Sequence, residues 1–135
     1  MRPYQGKRID NGEWVEGWYI RYEHMGIVRH IIATSYAQIY ANSHDVDPDT
    51  VRQDSGVPDK YGKPVFDGDI LKVPDLYETP ENTETRYHNE LVTFEDGAFC
   101  ADGTPMYDDA QYISDECEVI GNRWDHPHLL EVSDK

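Results

Sequence analysis

Apolar residues in this chain come in short runs of at most four positions, and turn-forming residues recur every eight to twelve or so positions. No stretch keeps apolar residues at helical spacing. Trp14, Val15, Trp18, Tyr19, Ile20 and Tyr22 make a long strand rich in residues suited to a pleated surface. Before it, Asn11-Gly12 predicts a type I′ hairpin, since both residues tolerate positive φ. Gly17 reads as a bulge within it. After Gly26, Ile27–Ile32 predicts the returning strand of a second hairpin, and Tyr36–Tyr40 a third short apolar stretch, strand or irregular. Asp45–Pro48 and Asp59–Gly62 read as turns. Val65-Phe66 leads through Asp67-Gly68-Asp69 into a strand of Ile70, Leu71 and Val73, ended by Pro74.

The second half carries weaker signals. Asp75–Thr85 reads as an exposed loop. Arg86–Phe94 predicts a strand burying Tyr87, Leu91, Val92 and Phe94, returned by Asp96-Gly97 into Ala98–Ala101. Asp102-Gly103 ends that strand. Asp108–Ile113 predicts one or two helical turns, Cys117–Ile120 a last strand closed by Gly121-Asn122. Trp124, Leu129 and Leu130 predict a packed tail, which Pro127 keeps from being a long helix. The sum is a mainly β, compact antiparallel domain of about six to eight hairpin-connected strands, barrel-like or a sandwich, with little helix.

Composition adjusts this picture. At 135 residues the chain is expected to form a single domain, 1–135. Hydrophobic residues make up 38%, and ten Tyr dominate the aromatics, which predicts a thin core with half-buried rings. Residues 1–73 carry nine Lys/Arg against eleven Asp/Glu, a balance of −2; residues 74–135 carry three against sixteen, −13. Such a surface repels phosphate, so direct nucleic-acid binding is not expected. Solubility is the bland reading of the charge, and docking on a basic partner or imitation of DNA the sharp one. No basic-then-apolar leader stands at Met1–Tyr22 and no apolar run spans a membrane, so a cytoplasmic protein with reduced Cys100 and Cys117 is expected.

Candidate chemistry is sparse. Asp67 and Asp69 could pair as carboxylates, but Gly68 between them favours a turn. His24, His30, His126 and His128 lack zinc-ligand spacing. Ser35, Ser43 and Ser55 lack a nucleophile elbow, Cys100 lacks a partner motif, and no phosphate loop occurs. Trp14, Trp18, Tyr19, Tyr22, Tyr36 and Tyr40, near Arg21 and Arg29, read as a sheet core or subunit interface before a base-stacking face. No catalytic, cofactor-binding or metal residue is assigned, and no cofactor is expected.

The segment VDPDTVRQDSGVPDKYGKPVFDGDILKV, Val46–Val73, is similar to the signature of the YopX family, small proteins encoded by bacterial phages, prophages and mobile elements. The resemblance rests on Thr50, Val51, Gln53, Gly56, Asp59, Gly62, Lys63, Phe66, Gly68, Asp69 and Ile70, with conservative replacements at Ser55, Val57, Val65, Asp67 and Leu71. Asp54 departs from a usual aromatic and Tyr61 from a usual Asn, and Pro58 and Pro64 flank the turn. Asp10–Ile20 and Glu118–Asn122 with Leu129-Leu130 extend the likeness to both ends, leaving Pro74–Ala110 divergent. The resemblance implies a mainly β, self-associating protein and offers no activity or catalytic residue to carry over. The segment itself reads as structure: Gly56, Gly62 and Gly68 at turns needing positive φ, and Asp59, Asp67 and Asp69 as acceptors for backbone N–H groups.

The expected function is that of a non-enzymatic accessory or protein-binding module, homo-oligomeric, with a host or phage protein as partner. An acidic DNA mimic and a cryptic metal-dependent enzyme are the two alternatives. The divergent acidic stretch after Pro74 is where function is expected to lie.

Overall fold

The computed structural model describes residues 3–34, 43–74, 86–95 and 97–130. The expected stretch Tyr36–Tyr40, the loop Asp75–Thr85, Ser35 and Asp96 lie outside the described residues. Contacts divide the chain into two compact units, Met1–Asp54 and Ser55–Lys135.

The first unit is built on β1 (Tyr4–Lys7), β2 (Trp14–His24), β3 (Ile27–Ala33), β4 (Ser43–Asp45) and the start of β5 (Arg52–Pro58), in sheet order β4-β3-β2-β1-β5. All pairings with a register are antiparallel. A bridge between Arg8 and Val46 returns the end of β1 to the end of β4, so this sheet curls upon itself. Ile31 and Ile32 point to opposite faces yet both are buried, so the sheet is covered on both sides there.

The turns differ from expectation in an instructive way. At Asn11-Gly12 only Gly12 has positive φ, and the turn is a wider one in which the Gly12 N–H donates to the Arg8 carbonyl. Type I′ geometry needs positive φ at both central residues. Met25-Gly26 meets that requirement, with φ of 52° and 79°, between paired His24 and Ile27. Gly17 is no bulge either, since its register with β1 is continuous. A Cβ there would come 2.2 Å from the Ala33 carbonyl oxygen, so close backbone approach explains the residue.

In the second unit β5 turns back through Asp59–Gly62 into its sheet neighbour β6 (Pro64–Phe66). A five-stranded antiparallel sheet follows: β7 (Asp69–Pro74), β8 (Tyr87–Glu95), β9 (Ala98–Ala101), β10 (Thr104–Pro105) and β11 (Glu118–Asn122), in order β10-β9-β8-β7-β11. The eleven strands among the described residues exceed the six to eight expected, because pieces as short as β4 and β10 carry too few residues to alternate. The sheet is open at both edges and is not a closed barrel. The one α-helix among the described residues is α1 (Ala110–Glu116), entered through a 3-10 turn at Met106–Asp108.

Central strand β7 buries Ile70 and Leu71 completely, on opposite faces. Each such side chain contributes about 1.5–3 kcal/mol by leaving water. Leu71, Val73, Val92, Ala101, Met106, Ile113, Cys117 and Val119 form one cluster, completed by Val65 from β6.

The Val46–Val73 segment follows the sequence reading, except that Gly56 lies inside β5 and not at a turn. Gly56, Gly62 and Gly68 all have positive φ, between 78° and 87°. The buried Asp59 carboxylate accepts backbone N–H bonds from Tyr61 and Lys63 within its own turn and from Val119 in β11, at 2.9–3.0 Å. Buried Asp69 accepts from the Phe66 N–H at 2.7 Å across the Gly68 turn. Asp59 and Asp69 thus clamp their turns.

Candidate functional site

On β8 the row His88, Glu90 and Val92 faces the core side of the sheet, because Glu90 pairs with Leu71 and Val92 with Ala101. The expected burial of Tyr87 and Phe94 does not occur. Tyr87 lies on the opposite row and is 47% exposed; Phe94 shares the inward row but stands past the covered part of the sheet, 51% exposed against Phe99. Two polar residues therefore stand where an alternating strand would place apolar ones.

Helix α1 explains why they are tolerated. Buried Met106 and Ile113 anchor the 3-10 turn and the helix onto the cluster. The Tyr112 hydroxyl donates to the Pro74 carbonyl at 3.0 Å, and the Ser114 hydroxyl to the Pro58 carbonyl at 3.1 Å. The helix spans only seven residues, so it covers part of the sheet and leaves a cavity of about 310 Å³ over β7 and β8. Val73, Pro74, Ala101, Ile113 and Cys117 line it with apolar surface; His88, Glu90, Asp109 and Tyr112 supply its polar groups. His88 Nε2 and Glu90 Oε2 are within hydrogen-bond distance of each other.

The interior of this cavity disfavours negative charge. Burial, followed by the fields of Glu90, Glu116 and Asp109, pushes the Cys117 thiol up to about 11, with Lys60 acting weakly the other way. A thiol so placed stays protonated at neutral pH and is a poor nucleophile. Asp108, Asp115 and Glu116 are exposed around the helix, so the cavity opens into acidic surface.

Other sequence candidates lie apart from it. The Tyr19 hydroxyl bonds His30 Nδ1, with the two rings stacked and Tyr4 tilted against Tyr19. Trp14 lies under the Arg52 guanidinium at 4.3 Å, and Tyr22 under Arg29, which also pairs with Asp45. These rings are thus engaged within the first sheet. His126 Nδ1 accepts the Asn122 N–H, and its ring contacts His128 edge-on. His24 is exposed at the end of β2, the Ser55 hydroxyl bonds within β5, and the Cys100 thiol is directed at the Ala98 carbonyl. Among the described residues no three His, Cys, Asp or Glu side chains converge as a metal site would need. Among them, too, no helix is long and apolar enough to cross a membrane.

The sequence reading placed Asp109 only within the helical stretch Asp108–Ile113 and did not single out His88 or Glu90.

Comparison with known proteins adds the following. Residues 4–131 match the family described as YopX protein. The crystal structure of protein EF1440 from Enterococcus faecalis aligns with 97% of this chain and 99% of its own at a TM-score of 0.55 and 20% identity, a likeness of fold alone. No curated protein matches the chain.

Proposed function

The chain belongs to the YopX family, and from that premise we propose that it is a phage- or prophage-derived, non-enzymatic accessory protein that acts through protein contacts in the bacterial cytoplasm. The observation carrying this reading is the cavity over β7 and β8, apolar within and acidic at its rim. Its surroundings suit a positively charged surface, and its thiol is held in the unreactive form. Self-association belongs to the same reading.

The test is affinity capture from host lysate using the full chain and a variant reversing Asp108, Asp109, Asp115 and Glu116 to Lys. A partner retained by the first and lost with the second supports the proposal. Capture that is equal on both, or specific on neither, refutes it. Sedimentation velocity checks self-association: a single monomeric species across the micromolar range removes that element.

The −13 balance of residues 74–135 favours one second reading, a DNA mimic occupying a basic nucleic-acid-binding protein. In that case duplex DNA competes for the captured partner, and binding falls steeply with salt. Binding indifferent to both overturns it.

A further inference from the structure

We infer that the cavity bounded by β7, β8 and α1 is a receptor for one arginine side chain of a basic partner segment. This deepens, and rests on, the protein-binding reading above.

Size and chemistry select this occupant. About 310 Å³ is at the small end of ligand pockets, enough for a single long side chain and too little for a packed helix or strand. The floor of Val73, Ala101, Ile113 and Cys117 is apolar and suits a methylene stem. Glu90 and Asp109 offer carboxylates to a planar fork of donors, and Tyr112, tethered through its hydroxyl to Pro74, lines the same cavity.

Competing occupants fit less well. A phosphate or carboxylate would meet Glu90 and Asp109 head on. A neutral apolar ligand would strip water from both carboxylates and return nothing. The chain's own residues 75–85 carry four acidic residues and no Lys or Arg, so they would set acid on acid. Lys60, the nearest cation acting on Cys117, lies over the Tyr61 ring at 5.2 Å. His88 beside Glu90 orients that carboxylate at the mouth. After burial, which is the largest cause, the fields of Glu90, Glu116 and Asp109 also raise the Cys117 pKa, and those fields favour a cation.

The test titrates the ¹⁵N-labelled full chain with a blocked Gly-Gly-Arg-Gly-Gly peptide. The control replaces Arg with citrulline, which keeps the shape and removes the charge. Amide shifts at Ala101, Tyr112 and Ile113 are expected with the arginine peptide, and affinity at least about tenfold weaker with citrulline. Glu90→Gln/Asp109→Asn is expected to lower arginine binding about tenfold as well, with its spectrum otherwise showing a folded chain. Glu13→Gln/Glu23→Gln, exposed in the first unit, is expected to change it less than about twofold. Equal binding of citrulline, shifts elsewhere, or an unaffected Glu90→Gln/Asp109→Asn variant overturns the inference. Charge-dependent partner capture without peptide binding refutes this inference and leaves the broader proposal standing. Peptide binding without any specific partner does the reverse.

Discussion

Replacing Gly68 with Ala separates two costs that the fold imposes at one position. Gly68 has φ of +87°, and an added Cβ would stand 2.4 and 2.5 Å from Cζ3 and Cη2 of Trp124. An L-residue in the left-handed region loses about 1–2 kcal/mol. Forcing a rigid indole aside adds about 1–3 kcal/mol, typical of overpacking. The backbone cannot easily escape either cost. The Gly68 N–H donates to the Val92 carbonyl at 2.7 Å, and the Gly68 carbonyl accepts from the Arg123 N–H at 2.9 Å. Gly68→Ala should therefore destabilise the second unit by about 2–5 kcal/mol. Trp124→Ala in the same chain should recover only the steric part, giving a coupling of about 1–3 kcal/mol in a double-mutant cycle. Trp14 and Trp18 belong to the first unit, so bulk fluorescence mixes signals, and two units need not unfold in one step. Urea-dependent amide exchange in β7 and β8 isolates the relevant unfolding. A Gly68→Ala loss below about 0.5 kcal/mol, or additive effects of the two substitutions, would refute the reasoning.

Asp59→Ala strands three backbone donors and should cost roughly 2–5 kcal/mol, with Asp59→Asn intermediate; faster exchange at the Val119 amide is the site-specific readout. Cys117 titrates from 9.0 upward in the unfolded chain but near 11 when folded, so unfolding releases its proton first. Stability contributed by the protonated thiol is thus complete below pH 9 and lost as pH rises toward 11, by at most about 3 kcal/mol. Urea titrations of the wild type and Cys117→Ala over that range should diverge in slope, tyrosine ionisation being common to both; parallel curves would contradict the buried-thiol account. Met25 is 88% exposed and sits at positive φ, which Asn tolerates better, so Met25→Asn should raise stability by about 0.5 kcal/mol, and an unchanged or lower melting temperature would count against the I′ assignment.

The contrast between turns and faces explains how far the sequence could be read. Gly56, Gly62, Gly68 and Asp59 announce themselves because positive φ and short-range acceptors are local requirements, met within four or five residues. Gly26 marked the second hairpin, but its type I′ geometry was not legible because Met25 has no turn propensity; the long β2–β3 pairing holds it in place. The orientation of β8 escaped for a different reason. His88 and Glu90 face inward only because α1 and β7 arrive there from elsewhere in the chain, and no window of the strand itself encodes that. The same holds for the cavity, whose walls come from β7, β8, β9 and α1. The charge pattern of the acidic stretch after Pro74 gives surface and not shape.

The bond from the Val119 N–H to Asp59 joins positions sixty residues apart. Alongside it, β11 pairs with β7 across some fifty residues, whereas β2 and β3 meet through a two-residue turn. Folding speed follows such separations, so the first unit can assemble while the chain is still emerging from the ribosome, and the second must wait until Asn122 has been made. During that wait Ile70, Leu71 and Val92 are exposed together with unpaired strand edges, the condition under which chains aggregate. The heavy negative charge of the same half keeps nascent copies apart through that interval. The chain gains a kinetic safeguard from it, whatever the mature surface later binds.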